Sequence, residues 1–364
     1  MNKLSLYQLA AVMLCGHAFS LMTFFPYTCD NPAEYMIGAA IAVLIEGALL
    51  LPLFFAGDAV RQGGVFAAAE RLSPVLRVIV GVFYTAVLIF FCFRVIGNFT
   101  YFLDGIIPRG FMRWTAVCGI CAAGVYLGLM KPSVIGKTAG VMFFLFLVFC
   151  ALVVLCSLGR HYTGSLAFHL ASRNIGSGIA ESVKCELLRG MDLVFLVLFL
   201  PCLKQSAAKT AAVFLSAKLV FVWLCIGFVT WVLGDYVMLA KLPFSAMASY
   251  SSTAMIERFD AAFMAVWVTL AVVRLGAAFH CLGESIRAVI KPLPKGFAVI
   301  STAAVSAGLA LFRLSRFEWE KEAYDMSGWA VSVSAVALVP LVLAAGRLIK
   351  KRREHSGEDI GAEV

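Results

Sequence analysis

Residues 134–158 read VIGKTAGVMFFLFLVFCALVVLCSL, an apolar run whose only charged residue is Lys137. A helix rises about 1.5 Å per residue and the hydrocarbon core of a bilayer is about 30 Å thick, so roughly 20 such residues cross it. The run is long enough to do so and shows no period-two alternation. Because lipid offers no partner for backbone N–H and C=O groups, we predict a transmembrane helix here rather than a barrel strand.

The rest of the chain repeats this pattern. Hydrophobic residues make up 62% of the 364 residues and charged residues 14%, well below the roughly 25% charged residues of soluble domains. We predict an all-α polytopic membrane protein with about ten transmembrane helices, forming a single integral membrane domain over residues 1–350 and a basic-then-acidic cytoplasmic tail over 351–364. The ten predicted spans are Leu6–Phe25, Tyr35–Ala56, Val75–Leu103, Trp114–Met130, Val134–Leu158, Ala180–Leu203, Ala211–Leu233, Ala261–Leu282, Phe297–Leu314 and Ser327–Ile349.

The first span begins with Ser5 and Gln8, whose spacing is that of a capping box at a helix start. The span carries Gln8 and His17 and lacks a convincing cleavage site, so we expect it to be retained rather than removed as a signal peptide. With the N-terminus inside, lysine and arginine are more frequent in the inner segments, which predicts cytoplasmic N- and C-termini. The net charge of +9 follows from this bias, and we expect no nucleic-acid partner.

Ionisable residues within the spans carry most of the functional information, because a lone charge at the bilayer centre costs at least about 2.5–3.5 kcal/mol. The set comprises His17, Glu46, Arg94, Asp192, Lys218, Arg274 and His280. His17, Glu46 and Asp192 lie roughly 15–18 Å deep, near the midplane. Either these groups form structural ion pairs between helices, or they line a polar ligand site. We favour a ligand site, with Asp192 paired to Lys218 or Arg274.

The first and sixth spans carry glycine next to polar residues near their middles. Gly16, His17 and Ala18 are expected to interrupt the first span, and Arg189, Gly190 and Asp192 the sixth. These places correspond if the chain is a 5+5 inverted repeat of about 1–160 and 175–350, in which two broken helices surround a midplane substrate site. The alternative is that glycine serves only for close helix packing.

Enzymatic signatures are missing from the sequence. It has no phosphate-binding loop, no His-Glu-x-x-His pair and no nucleophile elbow. Cys118 and Cys121 lie in an apolar span without a second pair nearby, which does not favour a metal site. We expect neither catalysis nor a cofactor.

Two stretches resemble the B subunits of spore germination receptors, a family of membrane permease-like proteins. The opening Leu4-Ser5-Leu6-Tyr7-Gln8-Leu9 resembles that family's Ile-Ser-x-x-Gln-Leu start. Glu257, Arg258, Phe259 and Asp260, followed by Phe263, Trp267 and Arg274, resemble its Glu-Arg-x-Asp-x-x-Phe-x-x-x-Trp pattern and following basic residue.

The resemblance implies the LeuT-like architecture of the amino acid, polyamine and organocation transporter superfamily, with a small-nutrient site between the first and sixth helices. It implies residence in the inner membrane of an endospore and two partners, a larger membrane A subunit and a C lipoprotein. For Glu257, Arg258 and Asp260 it implies a role in gating or assembly. A free-standing, proton-linked amino acid permease of the same fold is the alternative.

Overall fold

The computed structural model describes residues 3–23, 32–61, 63–106, 113–157, 175–238, 240, 242–250, 259–316 and 328–347. Over these ranges the chain is built from helices, and its only extended pairing is an isolated bridge between Leu4 and Leu203. The predicted all-α class is confirmed. The predicted tail over 351–364 lies outside the described residues.

Eight described helices are long and apolar enough to cross a membrane, by length and composition. They cover Leu6–Thr23, Pro32–Ala56, Pro74–Asp104, Pro132–Ser157, Ala207–Leu233, Ala261–Val289, Lys295–Phe312 and Trp329–Arg347. The other two predicted spans are also helical. Trp114–Leu129 is apolar but shorter, and the sixth span is divided into successive helical pieces. The chain is therefore a polytopic helical membrane protein.

The α-helices run as follows in chain order: α1 Leu6–Thr23, α2 Pro32–Leu49, α3 Leu51–Arg61, α4 Gly64–Leu72, α5 Pro74–Ile106, α6 Arg113–Leu129, α7 Pro132–Ser157, α8 Ile175–Arg189, α9 Leu193–Phe199, α10 Ala207–Leu233, α11 Pro243–Tyr250, α12 Phe259–Val289, α13 Lys295–Arg316 and α14 Trp329–Val333. Helices α2, α5, α7 and α11 begin at proline, which lacks an N–H that the first turn would leave unsatisfied. The last span continues from α14 through a π-helical turn, Ser334–Leu338.

Helix α1 lies at the centre of the bundle. Of its spanning window, 83% is buried within the protein, against 22% for the window in α7. It packs against α7, α10 and α12, while α12 also packs against α5 and α6, and α2 packs against α8. A side chain on α1 therefore faces protein on nearly all sides, whereas α7 presents most of its surface outward.

The expected interruption of the first span at Gly16, His17 and Ala18 is wrong, because α1 is one continuous α-helix. Gly16 instead allows a close approach: a Cβ there would collide with the carboxylate of Asp192. Glycine in a helix costs roughly 1 kcal/mol relative to alanine, and packing on every side of α1 offsets that cost. Of the two sequence interpretations, close packing is the correct one here.

The sixth span departs from α-helical geometry at the predicted place. Helix α8 ends at Arg189, residues Gly190–Asp192 form a 3-10 turn, and α9 follows without an extended segment. The amide of Leu193 donates to the carbonyls of Gly190 and Met191, so the turn keeps backbone hydrogen bonds. A broken helix that exposes backbone donors and acceptors to a substrate is therefore not observed at this turn.

A break also occurs in the second span, where no interruption was predicted. Helix α2 ends at Leu49 and α3 begins at Leu51. Pro52 explains it, because proline has no N–H to donate within a helix and its ring crowds the preceding turn. Pro52 is visible in the sequence, and proline interrupts helices more strongly than glycine does.

The start of α1 lies beside the end of the sixth span. The amide of Leu4 donates to the carbonyl of Cys202 at 2.7 Å, and that of Lys204 to the carbonyl of Leu4 at 2.9 Å. The predicted capping box is confirmed, since Ser5 N donates to Gln8 Oε1 at 2.9 Å and Gln8 N to Ser5 Oγ at 3.3 Å. The first span therefore begins at the end of the bundle where the sixth span finishes, and the two spans run in opposite directions.

Candidate binding site at a buried charge cluster

Ionisable side chains from α1, α2, α8, α10, α12 and the 3-10 turn meet inside the bundle. We call this the central charge cluster and define it as His17, Tyr35, Glu46, Glu186, Arg189, Asp192, Lys218 and Arg274. The most exposed of these residues, Arg189, is only 6% exposed. The predicted midplane groups are therefore brought together by the fold.

Lys218 connects two carboxylates from different helices. Its Nζ lies 2.7 Å from Glu46 Oε1 on α2 and 3.2 Å from Glu186 Oε2 on α8. An ammonium group has three donors and no acceptor, so contacts with two carboxylates suit it. The three residues bind α2, α8 and α10 together at the level of the cluster.

Glu186 has further partners on its other oxygen. Arg189 Nη1 donates to Glu186 Oε1 at 2.7 Å, and the hydroxyl of Tyr35 donates to the same oxygen. Arg189 also contacts the Tyr35 hydroxyl, and its guanidinium lies 5.8 Å from the centre of that ring. Glu186 is thus the most highly coordinated carboxylate of the cluster.

Asp192 and Arg274 form the second part of the cluster. Arg274 Nε lies 3.1 Å from Asp192 Oδ1 and Nη2 lies 3.2 Å from Oδ2, a two-bond geometry that fixes both groups. Nη1 donates to Ser20 on α1, and the guanidinium lies 4.7 Å from the centre of the Phe91 ring. The predicted pairing of Asp192 is confirmed with Arg274.

Two glycines make room for these carboxylates. A Cβ at Gly16 would collide with the side chain of Asp192, and one at Gly190 would collide with that of Glu46. Both substitutions would drive a carbon atom into a buried charged group that is already held by a cation. The residues that suggested broken helices therefore shape the walls of the cluster.

The cluster is balanced in charge. Among the described residues it holds three carboxylates, from Glu46, Glu186 and Asp192, and three cations, from Arg189, Lys218 and Arg274. With a neutral His17 its formal charge is zero. Balance of this kind is needed at such depth, because an uncompensated buried ion is costly.

Some polar atoms of the cluster are left without hydrogen-bond partners in the described part of the chain. They include both ring nitrogens of His17 and Oε2 of Glu46. The nearest carboxylate oxygen to His17 Nε2 is Glu186 Oε2 at 3.6 Å. Buried polar atoms are nearly always satisfied in folded proteins, so these atoms mark a place where water or a ligand would gain hydrogen bonds.

The other predicted site residues lie in different surroundings. Ala18 is fully buried in the hydrophobic core. Arg94 is half-buried, and its guanidinium carbon lies 5.9 Å from the centre of the Phe90 ring. Glu257 and Arg258 lie outside the described residues, and Asp260 is described only as part of the first turn of α12.

Glu186 and Tyr35 are the members that sequence reasoning missed. Glu186 lies within the predicted sixth span, three residues before Arg189, so a charged pair one helical turn apart was visible. Tyr35 stands at the predicted start of the second span, where tyrosine is common for reasons unrelated to a site. Only the packing of α2 against α8 shows that its hydroxyl reaches Glu186.

The described residues that carry the family resemblance on α12 share one face of that helix. Phe263, Trp267 and Arg274 are all buried. Trp267 Nε1 donates to Thr23 Oγ1 at 3.0 Å, and its ring stacks on Phe19 and Phe102 at 5.1 and 4.0 Å between centres. This face therefore holds α1 in place beside the cluster.

The described residues contain no group of three or more histidine, cysteine, aspartate or glutamate side chains suited to hold a metal ion. Comparison of the chain with models of known protein families gives no match. Comparison with curated proteins gives none either. The proposed function therefore rests on the residues of the chain itself.

Proposed function

We propose that this chain is the nutrient-binding membrane subunit of a spore germinant receptor, and that the central charge cluster binds a small zwitterion such as an amino acid. The observation that carries the proposal is a buried, charge-balanced cluster in which His17 of the first span and Glu46 of the second span have polar atoms without partners among the described residues. The resemblance at residues 4–9 and along α12 supports the assignment to germination.

A zwitterion suits the charge balance of the cluster. A ligand with zero net charge adds no uncompensated charge to the interior of the bilayer, whereas an anion or cation alone would. Its ammonium group would take Glu46 Oε2 as an acceptor, and its carboxylate would accept from His17. Both of these groups have hydrogen-bonding capacity that the described residues do not use.

The architecture proposed for the chain is the 5+5 inverted repeat over about 1–160 and 175–350. The opposite directions of the first and sixth spans and their common end at Leu4 and Leu203 support it. The proposal includes cytoplasmic termini, location in the inner spore membrane, and assembly with a larger A subunit and a C lipoprotein. Ligand binding would favour one conformation that these partners detect.

A binding assay on the purified protein tests the proposal. We expect one of L-alanine, L-valine or L-asparagine to raise the unfolding temperature of the wild type in a saturable way. Glu46→Gln should weaken the binding of that ligand at least about tenfold, because a hydrogen bond to a charged group is lost. Glu70→Gln, which alters an exposed carboxylate outside the cluster, is the matched control and should bind as the wild type does.

Spores test the same variants in the receptor itself. Those that carry Glu46→Gln should need a higher nutrient concentration for germination than spores with Glu70→Gln. Equal ligand responses of the two variants in both assays would contradict the proposed site.

A free-standing, proton-linked amino acid permease is the second candidate. It is favoured by the position of His17, whose Nε2 lies 3.6 Å from Glu186 Oε2, so that an imidazole and a carboxylate from different spans face each other inside the bundle. Protein reconstituted into vesicles distinguishes the two. A receptor subunit binds labelled amino acid without net uptake, whereas a permease accumulates it when a proton gradient is imposed.

A further inference from the structure

A cavity with several charged lining residues lies at the end of the bundle where α1 begins. It has a volume of about 570 Å³ and is bordered by the start of α4, the α6–α7 turn, the end of α9, the end of α12 and the start of α13. We call it the basic-end cavity, and its polar lining residues include Lys131, His280, Glu284 and Lys295. His280 lies six residues after Arg274 on α12, which places the cavity about 9 Å along that helix from the central charge cluster.

The lysines of this cavity lack the ion pairs that neighbouring basic residues have. Lys291 pairs with Glu70 at 2.7 Å, and Arg287 pairs with Glu284 at 3.2 Å. Among the described residues no carboxylate lies within 4.0 Å of the ammonium of Lys131 or Lys295, although the carboxylate of Glu284, which lines the same cavity, acts electrostatically on Lys295. Lys295 Nζ instead contacts neutral atoms, His280 Nδ1 at 3.0 Å and the Met130 carbonyl at 3.5 Å.

His280 adds a third nitrogen-bearing group to this lining. Its Nδ1 lies 3.0 Å from the carbonyl oxygen of Gly128, and its ring stacks on Phe199 at 5.5 Å between centres. These contacts fix the ring from one edge and one face. The ring also lines the cavity, beside Lys295.

The start of α4 contributes backbone amides to the same cavity. Gly63 and Gly64 have φ values of 139° and 87°, which side-chain-bearing residues rarely adopt. Gly63 provides no side-chain cap for the helix, so the first amides of α4 have no side-chain acceptor, and the segment that carries them lines the same cavity as the two lysines. Amides and lysine ammonium groups together are the donors with which proteins bind phosphate.

We propose that the basic-end cavity binds a phosphate-bearing anion through Lys131 and Lys295, with His280 positioning the ammonium of Lys295. The cavity is larger than a bare phosphate, so it also accommodates a phosphate ester. Two sources share this chemistry, free phosphate compounds and the headgroup of an anionic phospholipid at the membrane surface. The site is independent of the central charge cluster and of the proposed nutrient.

Thermal unfolding of the detergent-purified protein in sodium phosphate, against sodium chloride at equal ionic strength, tests the site. We expect saturable stabilisation by phosphate that Lys131→Gln weakens at least about tenfold, with a similar loss in Lys295→Gln. Lys131 is exposed, so its substitution should leave folding intact. Lys137→Gln, which alters an exposed lysine one and a half turns further along α7 and outside the cavity lining, is the control.

A second measurement separates the two sources. Native mass spectrometry after extraction from vesicles of phosphatidylcholine, with or without phosphatidylglycerol, should show retained anionic lipid in the wild type and less in Lys131→Gln if the source is a headgroup. Phosphate binding without lipid retention identifies a free phosphate compound. The proposal is overturned if neither probe binds, or if Lys131→Gln and Lys137→Gln bind both probes equally well.

Discussion

The central charge cluster and the basic-end cavity place the same kinds of side chain in opposite situations. In the cluster each cation lies within 3.2 Å of a carboxylate. In the cavity, Lys131 and Lys295 have no such partner among the described residues, and the space beside them is open. Burial explains the difference, because charges inside the protein must be neutralised by protein groups, while an exposed charge such as that of Lys131 is screened by solvent and mobile ions.

The two regions can bind different kinds of ligand. In the cluster an incoming molecule must be neutral overall and must use the few unsatisfied atoms of His17 and Glu46. In the cavity the two lysines outnumber the single carboxylate of Glu284 among the lining residues, so an anion would supply the remaining countercharge. The two regions therefore predict different ligands and different responses to substitution.

The largest effect is expected from Asp192→Asn, which leaves the buried guanidinium of Arg274 without its charged partner. Removal of one member of a buried ion pair typically costs about 3–5 kcal/mol of stability. Denaturant or thermal unfolding of the purified protein measures it. Adding Arg274→Gln to the same variant should recover part of the loss. A single variant as stable as the wild type would show that the pair is solvated.

Gly16→Ala should have the next largest effect. Its Cβ would collide with the Asp192 carboxylate, and overpacking of this kind costs about 1–3 kcal/mol. Gly140→Ala is the matched control on α7, because a Cβ there meets nothing within 4 Å. The control should gain about 0.5–1 kcal/mol from a better helix former. Equal shifts in the same direction would contradict the close approach of α1 to the 3-10 turn.

Ser5→Ala tests the cap at the start of α1. It removes the acceptor for the Gln8 amide, and loss of an N-terminal cap costs about 1 kcal/mol. Hydrogen exchange of the first turn of α1 should increase, while amides near Gly16 should stay protected. Faster exchange throughout α1 would mean that the cap controls the whole helix rather than its end.

Glu70→Gln should have the smallest effect. The hydrogen bond from Lys291 lowers the pKa of the Glu70 carboxyl. Any contribution of this pair to the free energy of unfolding is therefore fully present above the ordinary pKa of a glutamate and is lost as the pH falls through the lowered pKa. The group is exposed, and surface pairs contribute little. We expect an unchanged unfolding temperature at neutral pH. A clear loss would show that α4 is held to α12 mainly through this contact.

Much of the fold follows from the sequence because the bilayer leaves few alternatives. Apolar runs of sufficient length must be helices in lipid, and the positions of the spans follow from counting. The backbone at Gly16 could not be predicted in the same way. Glycine serves both helix breaks and close packing, and only the position of Asp192 on a distant segment decides between them.

The site was predicted as a set of deep ionisable residues but not as a network. Burial cost alone shows that Glu46, Asp192, Lys218 and Arg274 need partners. It does not show that Lys218 takes Glu186 as well as Glu46, since that depends on how α2, α8 and α10 pack. Partner choice is a property of tertiary structure, which a single sequence does not encode in any local pattern.

His17→Leu tests the central claim most directly, with unfolding temperature measured without and with the amino acid that stabilises the wild type. The variant removes two buried nitrogens that have no hydrogen-bond partner among the described residues. We therefore predict an unliganded protein at least as stable as the wild type, and loss of the ligand-induced shift. A destabilised variant that still responds fully to the ligand would contradict the account, because His17 would then support the fold rather than bind the nutrient.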